Sequence, residues 1–276
     1  MGQRIRTAII AIPIALFFIK MGGLLFAAGV LVLGFVGWRE YRNMLLNAGF
    51  HVFAMTGLIG TLLLIIAAGM GYVKALLPLT TLFSLLAMLE GLYYYKKGQF
   101  PENTGVTCMS LVYIGLPFAH FVLLREITGS QHTIPLWGTV SLGEALLWTV
   151  MFATWASDTF AYFGGRAFGK TKLLPAVSPK KTREGAWCGF IGCVVTVILL
   201  GCLWLQYSFI SMLILGLGIG FFAPLGDLVE SILKRSCDIK DSGNFFPGHG
   251  GVLDRCDSLI FSVPLAYYFI TLFLLP

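Results

Sequence analysis

Between Lys240 and Ser258 the chain concentrates groups that can handle phosphate and metal. The run is Lys240-Asp241-Ser242-Gly243-Asn244-Phe245-Phe246-Pro247-Gly248-His249-Gly250-Gly251-Val252-Leu253-Asp254-Arg255-Cys256-Asp257-Ser258. Asp254 and Asp257 are three apart at a helix start. One acid there is explained as a cap on free amides at the positive end of the helix dipole. Two acids beside Gly248, Gly250 and Gly251, with His249 and Arg255 close by, point further. Glycines let backbone amides approach phosphate, and carboxylates hold divalent ions. His249 alone would carry no such reading, because a loop histidine more often only hydrogen bonds.

Immediately upstream, Asp227, Glu230, Ser231 and Lys234 are spaced three and four apart, so they share one helix face, and Arg235 follows. An amphipathic helix end with a Glu230–Lys234 pair explains that spacing equally well. Asp158 is the single acid of the stretch Ala145 to Gly165. A charge inside a membrane helix costs several kcal/mol unless paired, hydrated or ion-bound, so each such acid calls for an explanation. A further basic cluster, Ser178-Pro179-Lys180-Lys181-Thr182-Arg183-Glu184-Gly185, follows it. Cations beside Mg²⁺-binding acids would suit a polyphosphate nucleotide meeting an anionic lipid headgroup.

The elements that must position these groups are apolar helices. Of 276 residues, 57% are hydrophobic and 12% charged, about half the charge of an ordinary soluble domain. Crossing the hydrocarbon core takes roughly 20 apolar residues in a helix. Met21 to Trp38, Met44 to Val73, Asn103 to Leu124 and Ser258 to Pro276 carry no acid, lysine or arginine. Gly185 to Gly226 also carries none and must hold two helices, broken at Gln206-Tyr207-Ser208. Ala75 to Tyr95, with only Glu90, and Ala145 to Gly165 also read as spans. Thr7 to Ile19 is short and follows Arg4 and Arg6, as a secretory signal would. Lys20 can snorkel outward and a second helix follows at once, so an uncleaved hairpin fits better. The expectation is an all-α polytopic membrane protein with about nine transmembrane helices. Its amino-terminal helices 1–5, residues 1–142, would supply packing and dimer contacts. Its helices 6–9, residues 143–276, would carry the chemistry.

Nine crossings put the amino terminus and the even-numbered loops on one side. That side collects Arg4, Arg6, Arg39, Arg42, Lys96, Lys97, Arg166, Lys170, Lys172, Lys180, Lys181, Arg183, Lys234, Arg235, Lys240 and Arg255. Only Lys20, Lys74 and Arg125 fall on the other, a strong positive-inside bias. The amino terminus is therefore expected in the cytoplasm and the carboxyl terminus outside. The net charge of +6 sets orientation and meets anionic lipid or phosphate, with no nucleic-acid-binding pattern. The six cysteines show no metal-site spacing and read as small packing residues. Neither a soluble domain of any size nor an internal repeat is evident.

Taken together, these residues resemble the integral-membrane phosphatidate cytidylyltransferases, also called CDP-diacylglycerol synthases. That family's pattern is met by Ser231, Lys234, Arg235, Lys240, Asp241, His249, Gly250, Gly251, Asp254, Arg255 and Asp257. A second family segment is similar to Ser157-Asp158-Thr159-Phe160-Ala161-Tyr162-Phe163-Gly164-Gly165, then Phe168-Gly169-Lys170-Thr171 and the run from Ser178 to Thr182. Phe160 stands where bacterial members often have glycine. The carboxyl-terminal half carries the resemblance; the amino-terminal half shares the helix pattern and Trp38-Arg39-Glu40-Tyr41.

The resemblance implies that CTP and phosphatidic acid give CDP-diacylglycerol and pyrophosphate in phospholipid biosynthesis. It further implies Mg²⁺, a di-metal centre and a homodimer; with the charge bias, the expected location is the inner membrane with the active site facing the cytoplasm. By carry-over, Asp227, Asp254 and Asp257 are the metal acids, and Ser231, Lys234 and Arg235 lie near the phosphates. His249 and Arg255 complete the catalytic set. Asp158, Ser178, Lys180, Lys181, Lys240, Asp241, Gly250 and Gly251 fall to the nucleotide side. A lipid kinase using CTP, or a synthase acting on archaeal ether lipid, is the nearest alternative. A transporter would instead spread its acids towards the membrane midplane.

Overall fold

The computed structural model describes residues 2–95, 100–134 and 138–275, with the side chains of residues 2–5 left aside. Lys96 and Lys97 fall outside the described residues, and so does the side chain of Arg4. The described chain is mainly helical: α1 Gly2–Met21, α2 Gly23–Asn47, α3 Ala54–Gly69, α4 Leu76–Tyr93 and α5 Phe100–Arg125, then α6 Leu142–Phe168, α7 Arg183–Leu203, α8 Phe209–Ser236 and α9 Leu253–Phe273. A π-helical turn at Leu111–Gly115 interrupts α5. Among the described residues, six helices (α2, α4, α5, α7, α8 and α9) are long and apolar enough to cross a membrane. α3 is apolar but shorter.

Two antiparallel ribbons supplement the helices: β1 His132–Ile134 with β2 Gly138–Val140, and β3 Lys172–Leu174 with β4 Ser178–Thr182. Apolarity could not announce them, since they sit in the polar connections.

Helix ends also depart from the apolar stretches. α2 continues through Arg39, Glu40 and Arg42 to Asn47, so these charges ride on a helix rather than in a loop. α9 starts at Leu253, ahead of the uncharged stretch, so Asp254, Arg255 and Asp257 lie on its first turns, at the helix start expected for the two acids. The i to i−4 ladder needs no apolar side chains, so it runs past the point where hydrophobicity stops.

The chain forms two compact units, interleaved in sequence: residues 1–123 with 234–256, and residues 124–233 with 257–276. In the first, α2, α3, α4 and most of α5 pack around Tyr41, Met44, Leu64, Ile65, Leu111 and Ile114, all essentially inaccessible. Its intramembrane acid Glu90 accepts a hydrogen bond from the Thr56 hydroxyl of α3. In the second, α6 and α7 pack along each other, with Leu146, Leu147, Trp148 and Val197 buried. Arg125 is buried there with Glu144 at 3.7 Å and donates to the Ser141 hydroxyl at 3.1 Å.

Candidate functional site

In the second unit, small residues lock α6 onto α7. A Cβ added at Gly189 would lie 2.7 Å from the Ser157 carbonyl oxygen, and one at Gly185 2.7 Å from that of Ala161. These obstacles are backbone and cannot swing aside, so only glycine permits this approach. The connection between the helices is pinned as well. Glu184 accepts the amides of Lys170 at 3.1 Å and Thr171 at 3.2 Å, and the Thr182 hydroxyl caps α7 by accepting from Gly185 at 3.1 Å.

Lys180 and Lys181 therefore project from a fixed strand rather than a free loop. The Lys181 ammonium pairs with Asp227 of α8, whose other carboxylate oxygen accepts from the Ser231 hydroxyl at 3.3 Å. α8 runs close against α9 at Gly226, where a Cβ would overlap the Asp257 carbonyl oxygen. Asp257 lies within Coulombic reach of Asp227, Asp158 and Lys181, and its Oδ1 accepts the Ser258 amide at 2.6 Å. Asp158, Lys181, Asp227, Ser231 and Asp257, all singled out in the sequence, are thus neighbours. Ser178 is half-buried and Lys180 exposed on the same ribbon.

The first unit holds the second group. Lys234 donates to Asp254 Oδ1 at 2.6 Å, with side chains 13% and 6% exposed. Asp254 Oδ2 accepts from the Ser242 amide at 2.9 Å, the Ser242 hydroxyl at 2.8 Å and the Gly251 amide at 2.8 Å. Gly250 has φ +88°, a conformation that a side chain disfavours, and its carbonyl accepts from the Phe246 amide at 2.9 Å. His249 sits in that tight turn with its Nδ1 buried and without a hydrogen-bond partner among the described residues. Arg235 donates to the Ile239 carbonyl at 3.2 Å, while Lys240, Asp241 and Arg255 are exposed.

Two contributors were given no site role by the sequence. Ser242 looked like one polar loop residue among many, yet it is buried and gives two hydrogen bonds to Asp254. Glu40 accepts the amides of Val252 and Leu253 from a distant helix. Its signals were an acid at the end of an apolar span and its place in the Trp38-Arg39-Glu40-Tyr41 segment shared with the family.

Among the described residues, no three His, Cys, Asp or Glu side chains converge as a metal-ligand group. Mg²⁺ does not ask for that, since it is usually held by one or two carboxylates with water and substrate phosphate completing the shell. Asp227 and Asp257 bring two hard anionic groups to one place, and a cation, the Lys181 ammonium, already sits on one of them. The donor set of the second unit fits such an ion.

The profile of the cytidylyltransferase family matches residues 2–273. The chain belongs to that family. It is 33% identical over 289 residues to a phosphatidate cytidylyltransferase of Bacillus subtilis, with 99% of this chain and 98% of the relative covered. To that of Synechocystis it is 35% identical over 290 residues, covering 99% and 97%. A chloroplastic phosphatidate cytidylyltransferase of Arabidopsis thaliana is 46% identical over a shorter stretch of 145 residues, 49% of this chain and 36% of the relative. The family resemblance noted in the motifs therefore extends along the whole chain.

Proposed function

We propose that this chain is a phosphatidate cytidylyltransferase, transferring the CMP group of CTP to phosphatidic acid with release of pyrophosphate. One observation carries the proposal: Asp158, Lys181, Asp227 and Asp257 stand together in one compact unit of a cytidylyltransferase-family chain. Both substrates are anions, so the barrier a protein can lower is their mutual repulsion and the charge that develops on the leaving group.

Lys181 and Lys180 supply positive charge to the CTP phosphates, with Ser178 and Asp158 on the nucleotide side. Ser231, Lys234 and Arg235 serve the phosphates near α8. Asp227 and Asp257 would hold Mg²⁺, while Asp254 as a third metal acid and a second ion are what the family resemblance implies. When bound, Mg²⁺ would neutralise phosphate charge. The attacking phosphate oxygen of the lipid is already ionised, so no strong general base is required, and His249 orients or donates. Lys240, Asp241, Gly250, Gly251 and Arg255 belong to the surrounding phosphate-binding loop.

The setting is a membrane-embedded enzyme with about nine crossings, a cytoplasmic amino terminus and an external carboxyl terminus. The lysines and arginines of the even-numbered loops support that orientation. Phosphatidic acid keeps its acyl chains in the bilayer while CTP arrives from the cytosol, which favours a site at the inner leaflet of the cell membrane. Holding the two phosphates there converts a meeting of diffusing anions into an oriented local step. A homodimer, packed through helices of the amino-terminal half, is the expected assembly.

The test is liponucleotide formation by purified protein in detergent. Product is expected with CTP, phosphatidic acid and Mg²⁺, and none after chelation. Product of equal amount in excess chelator would overturn the metal assignment, and no product under any condition would overturn the activity.

A further inference from the structure

Glu40 is a carboxylate on an apolar helix, only 7% exposed, and the transfer chemistry leaves it unused. Its Oε1 accepts the Val252 amide at 3.0 Å and its Oε2 the Leu253 amide at 3.1 Å. The Ser242 hydroxyl lies 3.4 Å from Oε2. These amides sit at the very start of α9, among those a helix leaves without an intrahelical acceptor. A negative charge there also meets the positive end of the helix dipole. Helix α9 is therefore capped by a side chain from α2, more than 200 residues earlier in the chain.

The loop that Glu40 grips is the same one that embraces Asp254. Ser242 stands between the two carboxylates, and its hydroxyl is 2.8 Å from Asp254 Oδ2. Two glycines make room for Glu40: a Cβ at Gly243 would lie 2.5 Å from its Oε1, and one at Gly251 2.6 Å from its Oε2. A buried acid with three donors around it, in a pocket cut to its outline by missing side chains, is built rather than incidental.

We infer that Glu40 is a positioning residue for cytidylyl transfer: its carboxylate pins the segment from Ser242 to Leu253, and thereby fixes where Asp254 is held. The inference rests on the cytidylyltransferase reading for its kinetic consequence and on the geometry of one compact unit for its structural one. Glutamine is the informative replacement. It has nearly the same shape but only one acceptor oxygen, so its amino group must face one of the two backbone N–H donors.

The experiment compares full-length wild type, Glu40→Gln and Gly243→Ala in detergent, by hydrogen–deuterium exchange and by initial rates. Gly243→Ala keeps the charge and displaces it. Both variants are expected to speed exchange in residues 242–256 while leaving Arg183–Leu203 unchanged. Both should lower kcat by about 10- to 100-fold, as loss of residues that orient functional ligands does, with KM for CTP within about twofold. Unchanged exchange in 242–256 would overturn the inference, and so would faster exchange with wild-type kcat or loosening spread equally over the chain. If Glu40→Gln does not fold, Gly243→Ala decides alone by the same criteria. A wild-type chain without transfer activity would overturn both readings, a failure recognisable before any variant is made.

Discussion

At the scale of single residues, the acids of the carboxyl-terminal motif differ in what surrounds them, and the difference is measurable. Asp254 is paired with Lys234 and takes three further hydrogen bonds, whereas Asp257 accepts one amide and faces other charges. Lys234→Met leaves a mostly buried carboxylate without its cation, an event that costs about 3–5 kcal/mol. It is expected to lower both activity and the thermal midpoint. Asp257→Asn removes a charge from among like charges and is expected to keep the midpoint while cutting activity about 100-fold or more. Thermal unfolding and initial rates of the two purified variants check this, and equal loss of midpoint in both would contradict it. The motif residues were legible because their types are rare in apolar sequence and their spacing is fixed. Glu40 and Ser242 were not, because their role is a contact between segments that the sequence separates by some 200 positions.

At the scale of elements, the helix pair α6–α7 is what holds the Asp158 and Lys181 supports in place, and glycine is what permits it. Gly189→Val would drive a branched side chain into the Ser157 carbonyl and the Ala161 methyl. Overpacking of this kind costs about 1–3 kcal/mol. The expected result is a lower thermal midpoint together with lost activity, and a variant as stable as wild type would contradict the packing. Helices were legible from uncharged length, because the bilayer imposes that length. Not every end was. α2 carries Arg39, Glu40 and Arg42 on helix, since backbone hydrogen bonding ignores side-chain polarity, whereas the start of α9 at Asp254 and Asp257 was legible from the paired acids. The ribbon of β3 and β4 escaped notice because a five-residue strand of Ser178-Pro179-Lys180-Lys181-Thr182 has no apolar alternation.

At the scale of the whole molecule, the chain is a family member whose compact units interleave, with residues 234–256 returning to the amino-terminal helices. Local pattern cannot show such a return, although composition showed the membrane class at once. The central claim concerns which phosphorus of CTP is attacked, and isotope position reads it directly. Purified protein is given phosphatidic acid with CTP labelled at either the α or the γ phosphate. The account predicts that α label enters the lipid product and γ label leaves as pyrophosphate. Label from the γ position appearing in lipid would mark a kinase and contradict it.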